Sequence, residues 1–453
     1  MSTKQLLAGA ANVDITPPLG TFINGDFVAH YANYIHDQLH ARALVFQQNE
    51  LLITIVVVDI CVMPKDFVDE VKSEVNRQTG IKPENMLISS THTHAAGSVA
   101  SVYLGAADLQ YMRKLPALIV KSVVLAKQNV RPARIAWGSV DVPEHVLCRR
   151  YKMKDGYVAG NPAIGGVDRI KTNPFGGEDL IDHAIAETDP MVSFLAVMGA
   201  DNKWISVIGN YSLHYVGDWD NGTISADYFG EFSRQLQAKL QAGDGFVGIM
   251  SNGTSGDINI WDFLKTKNYP TQKFEKSKLI GGDIAEKVFR ELQHVQWDNA
   301  PSLSVQYNEI SLQLRKPTPA ELQKAERIVM ESDYEGMQIN SETLKQLYAR
   351  EQVLLNDLPD TLQFPVQALK IGNGIIGGLG AEIFAETGLW LKRNSPVKNY
   401  FTISMANGNA GYVPPEHEFE NGGYETWRVR TSKLQKDAEA IIRTELLRLV
   451  KKN

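Results

Sequence analysis

The sequence predicts an α/β fold: mixed β-sheets flanked by helices, in one large domain. Strand-like and helix-like periodicities alternate along most of the 453 residues. The longest apolar run, "LLITIVVVDI" (51–60), is β-branched and too short to cross a membrane, so it reads as a strand covered on both faces. No repeat, low-complexity tract or linker divides the chain, so residues 1–453 read as a single domain.

The elements follow in order. The strand at 51–60 leads into a helix over 64–80, "PKDFVDEVKSEVNRQTG", which Gly80 closes. "NMLIS" (85–89) is the next strand, followed by a helix over 108–128 and a strand near 133–140. "MVSFLAVMG" (191–199) and "KWISVIGNY" (203–211) form a hairpin through "ADNK". A helix over 226–241 precedes the strand "FVGIMSN" (246–252), and another helix covers 275–294. Residues 318–358 read as two charged helices, a helical-hairpin insertion. "YFTISMAN" (400–407) is the last strand and 431–449 the last helix. The polar segment 149–190 has little periodicity, and so long a loop in a compact domain is usually functional or poorly ordered.

Composition narrows the partners. Hydrophobic residues make up 43% of the chain, enough for a sizeable core. The net charge is −6 with both signs interspersed, and no basic stripe exists to meet nucleic acid. The partner expected is a small molecule. Cys61 and Cys148 lack metal or redox spacing and cannot build a disulfide framework. The N-terminal "MSTKQLLAGAANVDITPP" has no apolar core followed by a cleavage site, so the expected location is cytoplasmic, or secreted or periplasmic if a leader has been removed.

Five strand-like runs end in reactive residues. In "SSTHTHAAG" (89–97), His92 and His94 stand at i and i+2, a spacing that in extended backbone turns both imidazoles to one space. Two such imidazoles suit a metal, or a ligand beside a proton shuttle. The others are "GNYSLHYVGD" with His214, "SNGTSGDINIWD" with Asp257, "GGLGAEIFAETG" with Glu382, and "NGNAGYVPPEHEFENGGYET" with Tyr412 and Tyr424. Ligands in α/β sheets bind beyond the carboxyl ends of strands, where distant segments can meet. Each residue also has a plain structural role open to it. His214 can be a loop histidine, Glu382 a helix N-terminal carboxylate, Asp257 a turn residue, and the tyrosines a packed lid.

Taken together, these stretches resemble the neutral/alkaline (non-lysosomal) ceramidase family. "SSTHTHAAG" is similar to its "ATHTHSGP", "NYSLH" to "NWFAVH", "NGTSGDINI" to "NxGDVSPN", and "GAEIFAETG" to "PGE" with a following helix. "YVPPEHEFENGGYE" is similar to its "YxxTxEEYxxxxYE". "ANVDITPPLG" and "IHDQLHARALVF" resemble the family's start, so the likeness runs in order from about residue 8 to 430. The resemblance implies a Zn²⁺ site of His92, His214, Glu382 and Tyr412. It implies His94 as proton shuttle, with Tyr424 and Arg149 polarising the substrate carbonyl. "LCRRY" matches only loosely, which leaves Arg150 as an alternative to Arg149.

The chain departs from the family in three places. Asn259 stands where the family has Ser, "AAGSVASVYLG" replaces a Gly/Pro-rich continuation, and no C-terminal β-sandwich follows the last helix. With the polar 149–190 segment beside the site, these predict weak activity on long-chain ceramide and place Arg149, Arg150 and Lys152 as anchors for a polar substrate. The leading expectation is a zinc-dependent amide (N-acyl) hydrolase. The alternatives are a metal-dependent hydrolase of an ester, lactone or amide in a polar, sugar-derived compound, and a metal-stabilised binding protein without turnover. His94 and Tyr424 count against the last, since neither is needed merely to hold a metal.

Overall fold

The computed structural model describes residues 5–23 and 25–453; residues 1–4, part of the N-terminal leader expectation, lie outside the described residues. Eight strands make the larger sheet: β1 (Leu7–Asp14), β2 (His40–Gln48), β3 (Leu51–Val58), β4 (Met86–Ser90), β5 (Arg131–Asp141), β6 (Met191–Gly199), β7 (Trp204–Tyr211) and β8 (Val247–Asn252). They lie in the order β8-β7-β6-β5-β1-β2-β3-β4. Inner neighbours are antiparallel, whereas the outermost pairs β3–β4 and β7–β8 are parallel. A parallel pair needs a crossover, supplied by the helices Lys65–Thr79 and Asp227–Leu240.

A second, four-stranded sheet holds β9 (Leu303–Gln313), β10 (Thr361–Ile371), β11 (Gly374–Leu379) and β12 (Asn399–Ile403), in that order. It packs on the larger sheet, and the partners of β3 explain why that strand is apolar throughout. Ile53, Ile55 and Val57 meet Ile376 and Phe401 of the second sheet. Val56 and Val58 point the other way, into a core with the helices Lys65–Thr79 and Leu109–Gln128. The helices Asp227–Leu240 and Glu275–Glu291 cover the rest of that outer face. The helices Ala385–Asn394 and Ala438–Lys452 cover the second sheet. The layers thus run helix, sheet, sheet, helix.

Between the sheets, Gly374 leaves room for the Trp137 ring: a β-carbon there would lie 2.2 Å from it. Gly374→Ala is expected to lower stability by about 1–3 kcal/mol through overpacking, read as a reduced midpoint in chemical denaturation.

Twist brings the two edges of the larger sheet together. Asn252 Nδ2, at the end of β8, donates to the Thr91 carbonyl just past β4 at 3.1 Å. The chain beyond β12 closes the remaining gap. Ser404 N donates to Asn252 O at 3.0 Å, and Asn407 N donates to Ile88 O at 2.7 Å. Segments that follow opposite edges of one sheet therefore meet at a single point.

The α/β class and the helical hairpin, Pro319–Met330 and Ser341–Asn356, are as the sequence predicts. The last helix begins at Ala438, not 431, because Ser432 and Leu434 form bridges to Gly411, Val429 and Leu314. The 149–190 segment is partly ordered: Arg150–Met153 pairs with both Ile170–Thr172 and Ile181–Ala184. Cys61 and Cys148 are buried and unpaired. Among the described residues no helix is long and apolar enough to cross a membrane.

Candidate active site

His92 follows β4 and His214 follows β7, and the meeting of the sheet edges brings their Nε2 atoms to 3.1 Å. Both are buried. His92 Nδ1 lies 2.9 Å from the Cys61 carbonyl and His214 Nδ1 lies 3.0 Å from the Ser255 carbonyl. A carbonyl only accepts, so each Nδ1 carries a proton, and in the neutral ring each Nε2 presents a lone pair. Two lone pairs cannot bond each other; a cation between them satisfies both.

His92 does reach the space that His94 faces, but not through a strand pleat. β4 ends at Ser90, and His92 has φ 72°, in the left-handed region that a residue of this kind seldom adopts. Such strain persists where the surrounding structure imposes it, and it gathers at functional sites.

Glu382 supplies the third group. Its Oε2 lies 3.5 Å from His92 Nε2 and 3.9 Å from His214 Nε2, is buried, and has no hydrogen-bond partner. Two ligands of a tetrahedral ion, each 2.0–2.1 Å from it, stand about 3.3 Å apart, so these spacings and this donor set fit a divalent metal. The helix N-terminal role open to Glu382 is instead filled by Asp257, whose Oδ1 accepts from Ala385 N at 2.8 Å. Tyr412 is the direct register partner of Glu382 in a short parallel pair, Glu382–Ile383 with Tyr412–Val413, which sets the two side by side.

The electrostatics suit neutral ligands at His214. Burial, then the charges of His92 and Arg149, hold its pKa well below the ordinary value. Burial also opposes a charge on His92, yet Cys61 and Glu382 beside it draw its pKa well above that value. The carboxylate therefore calls for positive charge at this point, from a proton or a metal.

His94 stands to one side. Its Nε2 is 3.2 Å from His92 Nε2, its ring centroid is 6.0 Å from that of His214, and it stacks on Tyr215 at 3.6 Å. Burial, with His92 and Arg149, keeps its pKa well below the ordinary value. His94, His214, Arg149, Tyr412 and Tyr424 all line one cavity of about 400 Å³.

The two arginines divide their roles. Arg149 lines the cavity, with Nε donating to Glu425 Oε1 at 2.7 Å, one terminal nitrogen donating to Gly256 O at 2.6 Å, and the guanidinium 5.0 Å from the Tyr412 ring. Arg150 is fully enclosed, bound to Glu425 Oε2 and Glu418 Oε2, each at 2.6 Å. Lys152 is exposed and off the cavity, so neither Arg150 nor Lys152 can anchor a substrate there. Tyr424 accepts from the Tyr103 hydroxyl at 2.7 Å. Burial, with Tyr103 beside it, raises the Tyr424 pKa well above the ordinary value, so the phenol keeps its proton and can donate it into the cavity.

Several functional residues escaped the sequence reading. Glu425, which joins both arginines, sits beside Tyr424 in "GGYET" yet carries no signal of burial there. Much of the cavity wall is aromatic and comes from elsewhere: Phe27, Tyr103, Trp261, Trp427, and Tyr348 of the hairpin. The 149–190 segment adds Lys171, Thr172 and Asn173, and also Phe175. The expected polar surroundings therefore describe only part of the site. Asn259 is a structural brace as well as a lining residue: its Nδ2 donates to Asn173 Oδ1 at 2.6 Å and its Oδ1 accepts from Trp261 N at 3.0 Å.

Residues 6–261, more than half of the chain, match the profile of neutral/alkaline non-lysosomal ceramidase, N-terminal. Along 99% of its length the chain superposes on 74% of a neutral ceramidase from Pseudomonas aeruginosa, at TM-score 0.71 and 16% identity. It likewise superposes on 75% of a ceramidase complexed with C2, at TM-score 0.70 and 16% identity. No curated protein sequence matches it.

Proposed function

The chain belongs to the neutral/alkaline non-lysosomal ceramidase family, and from that premise we propose that it hydrolyses an amide (N-acyl) bond with the help of zinc. The observation that carries this reading is the convergence of two imidazole Nε2 atoms and a partnerless carboxylate oxygen at one point. His92, His214, Glu382 and Tyr412 are the groups that would hold the metal. Zinc bound there supplies Lewis acidity and brings the pKa of water to about 7, making hydroxide available at neutral pH.

The chain's own residues do the rest. Arg149 is held in place by Glu425 and Gly256, and Tyr424 receives a hydrogen bond from Tyr103. Both can donate to the carbonyl oxygen as it gains negative charge. His94, kept neutral by burial, can take up a proton and pass it to the leaving nitrogen. The aromatic wall excludes water and accepts an acyl chain. Because the residues of the site run from Cys61 to Glu425, we treat the chain as one catalytic unit.

A second reading keeps the same groups but places an ester, lactone or amide of a polar compound in the cavity. Lys171, Asn173 and Asn259 on its wall favour it. Assay of the protein on N-acyl lipids and on polar N-acyl compounds, before and after chelation, tests both. Turnover lost with the metal and restored by zinc is expected; turnover unaffected by chelation in a metal-free protein contradicts the proposal.

His94→Ala is expected to keep its metal content while losing about 10²–10⁴ in turnover, the usual range for a general acid–base group. Metal analysis beside kinetics reads both. Loss of metal would make His94 a ligand, and unchanged turnover would remove it from the mechanism.

A further inference from the structure

We propose that Lys171 makes this cavity selective for N-acyl compounds that carry a carboxylate, such as N-acyl amino acids; the inference rests on the amide-hydrolase reading above. Lys171 lies on the strand Ile170–Thr172, opposite Tyr151, and is half-buried on the cavity wall. Its ammonium has no hydrogen bond or ion pair among the described residues. The nearby acid, Asp168, is committed elsewhere, its Oδ2 accepting from Trp427 Nε1 at 2.7 Å and from Gly423 N at 3.0 Å. Burial lowers the Lys171 pKa and Asp168 only partly offsets this, so an anion at the ammonium relieves a charge that the fold leaves only partly compensated.

The lining arginine already has its partner: Arg149 is paired with Glu425. The lining acid Asp26 has Oδ2 2.8 Å from His30 Nε2. Among the described lining residues, Lys171 is thus the one lysine or arginine without an ion-pair partner. Next to it, Asn173 receives the Asn259 amide on its own oxygen, which leaves the Asn173 amide nitrogen free to donate. One ammonium and one neutral donor suit a monoanionic carboxylate; a phosphate dianion is better served by clustered arginines. The apolar wall of Phe27, Tyr348 and Trp427 suits the acyl chain of the same molecule.

The reaction needs no further reagent. Water adds its oxygen to the acyl carbon, the C–N bond breaks, and the nitrogen takes the proton. The products are a fatty acid and a free amine that bears the carboxylate.

The test compares N-dodecanoylglycine, neutral N-dodecanoylethanolamine and N-dodecanoyl-aminomethylphosphonate on the zinc-loaded protein and on Lys171→Met and Lys171→Arg. The expected result is kcat/KM at least tenfold higher for the glycine conjugate than for the neutral amide. That ratio should fall toward one in Lys171→Met, mainly through KM, and persist in Lys171→Arg. A wild-type protein that prefers the neutral amide or treats the two alike overturns the inference but leaves the hydrolase reading standing. So does a ratio unchanged in Lys171→Met. Preference for the phosphonate overturns the assignment to a carboxylate. Cleavage of none of the three by a metal-loaded protein overturns the hydrolase reading and the inference with it.

Discussion

His214→Ala should yield a protein without stoichiometric metal and with turnover reduced about 10³-fold or more. His214 Nε2 lies 3.1 Å from His92 Nε2, and its Nδ1 is fixed by the Ser255 carbonyl, which aims the ring at the point where Glu382 also converges. Without an ion there, nothing lowers the pKa of water, and hydroxide at neutral pH becomes scarce. The ring is buried, so the fold of the variant is checked separately. Metal content by mass spectrometry, circular dichroism and kinetics on one preparation separate these outcomes. A variant that keeps one metal per chain would show that His214 is not a ligand.

Glu425→Ala should have the largest effect on stability, a loss of about 3–5 kcal/mol, together with loss of activity. The Glu425 carboxylate is fully buried and shared: Oε1 holds Arg149, and Oε2 holds Arg150 and Thr172. Removing it leaves Arg149 without a carboxylate partner and Arg150 with Glu418 alone. Glu425→Gln keeps shape and one acceptor and should fall between wild type and alanine. Burial raises the Glu425 pKa, but Arg149 and Arg150 outweigh it and the net shift is downward. A carboxylate depressed in the folded state stabilises above its unfolded pKa, near 4.3, and that contribution fades as pH falls through the lower folded value. Wild type should therefore lose stability in acid below about pH 4, and Glu425→Gln should show a shallower loss there. Chemical denaturation across pH reads both. An alanine variant as stable as wild type would mean the arginines are solvated in its absence.

The strands that the sequence announced were those covered on both faces. β3, β6 and β8 are apolar runs because the second sheet lies on one side and helices on the other. β1, β2, β9 and β10 were missed for local reasons. β1, "LAGAANVD", is built from small residues with weak strand preference, and β9 is half-buried along most of its length, so its polar residues blur the period. β10 carries Pro365 inside the run, a residue that argues against a strand in sequence alone. The converging residues His92, His214 and Glu382 are legible because reactive side chains at strand ends are a local signal. Their meeting is not, since it depends on the twist that brings β4 and β8 together and on the left-handed turn at His92. The Glu425 clasp and the partly compensated Lys171 are equally invisible. Burial and missing partners are properties of the folded chain.

The central claim is that one divalent metal sits between His92, His214 and Glu382, with Tyr412 beside it. A crystal of the protein grown with stoichiometric zinc, with diffraction recorded on both sides of the zinc absorption edge, tests it most directly. The account predicts one anomalous peak per chain within ligand distance of His92 Nε2, His214 Nε2, Glu382 and Tyr412. A peak confined to another cluster, such as Glu386, His417 and Glu418, or no peak at these residues, would contradict it.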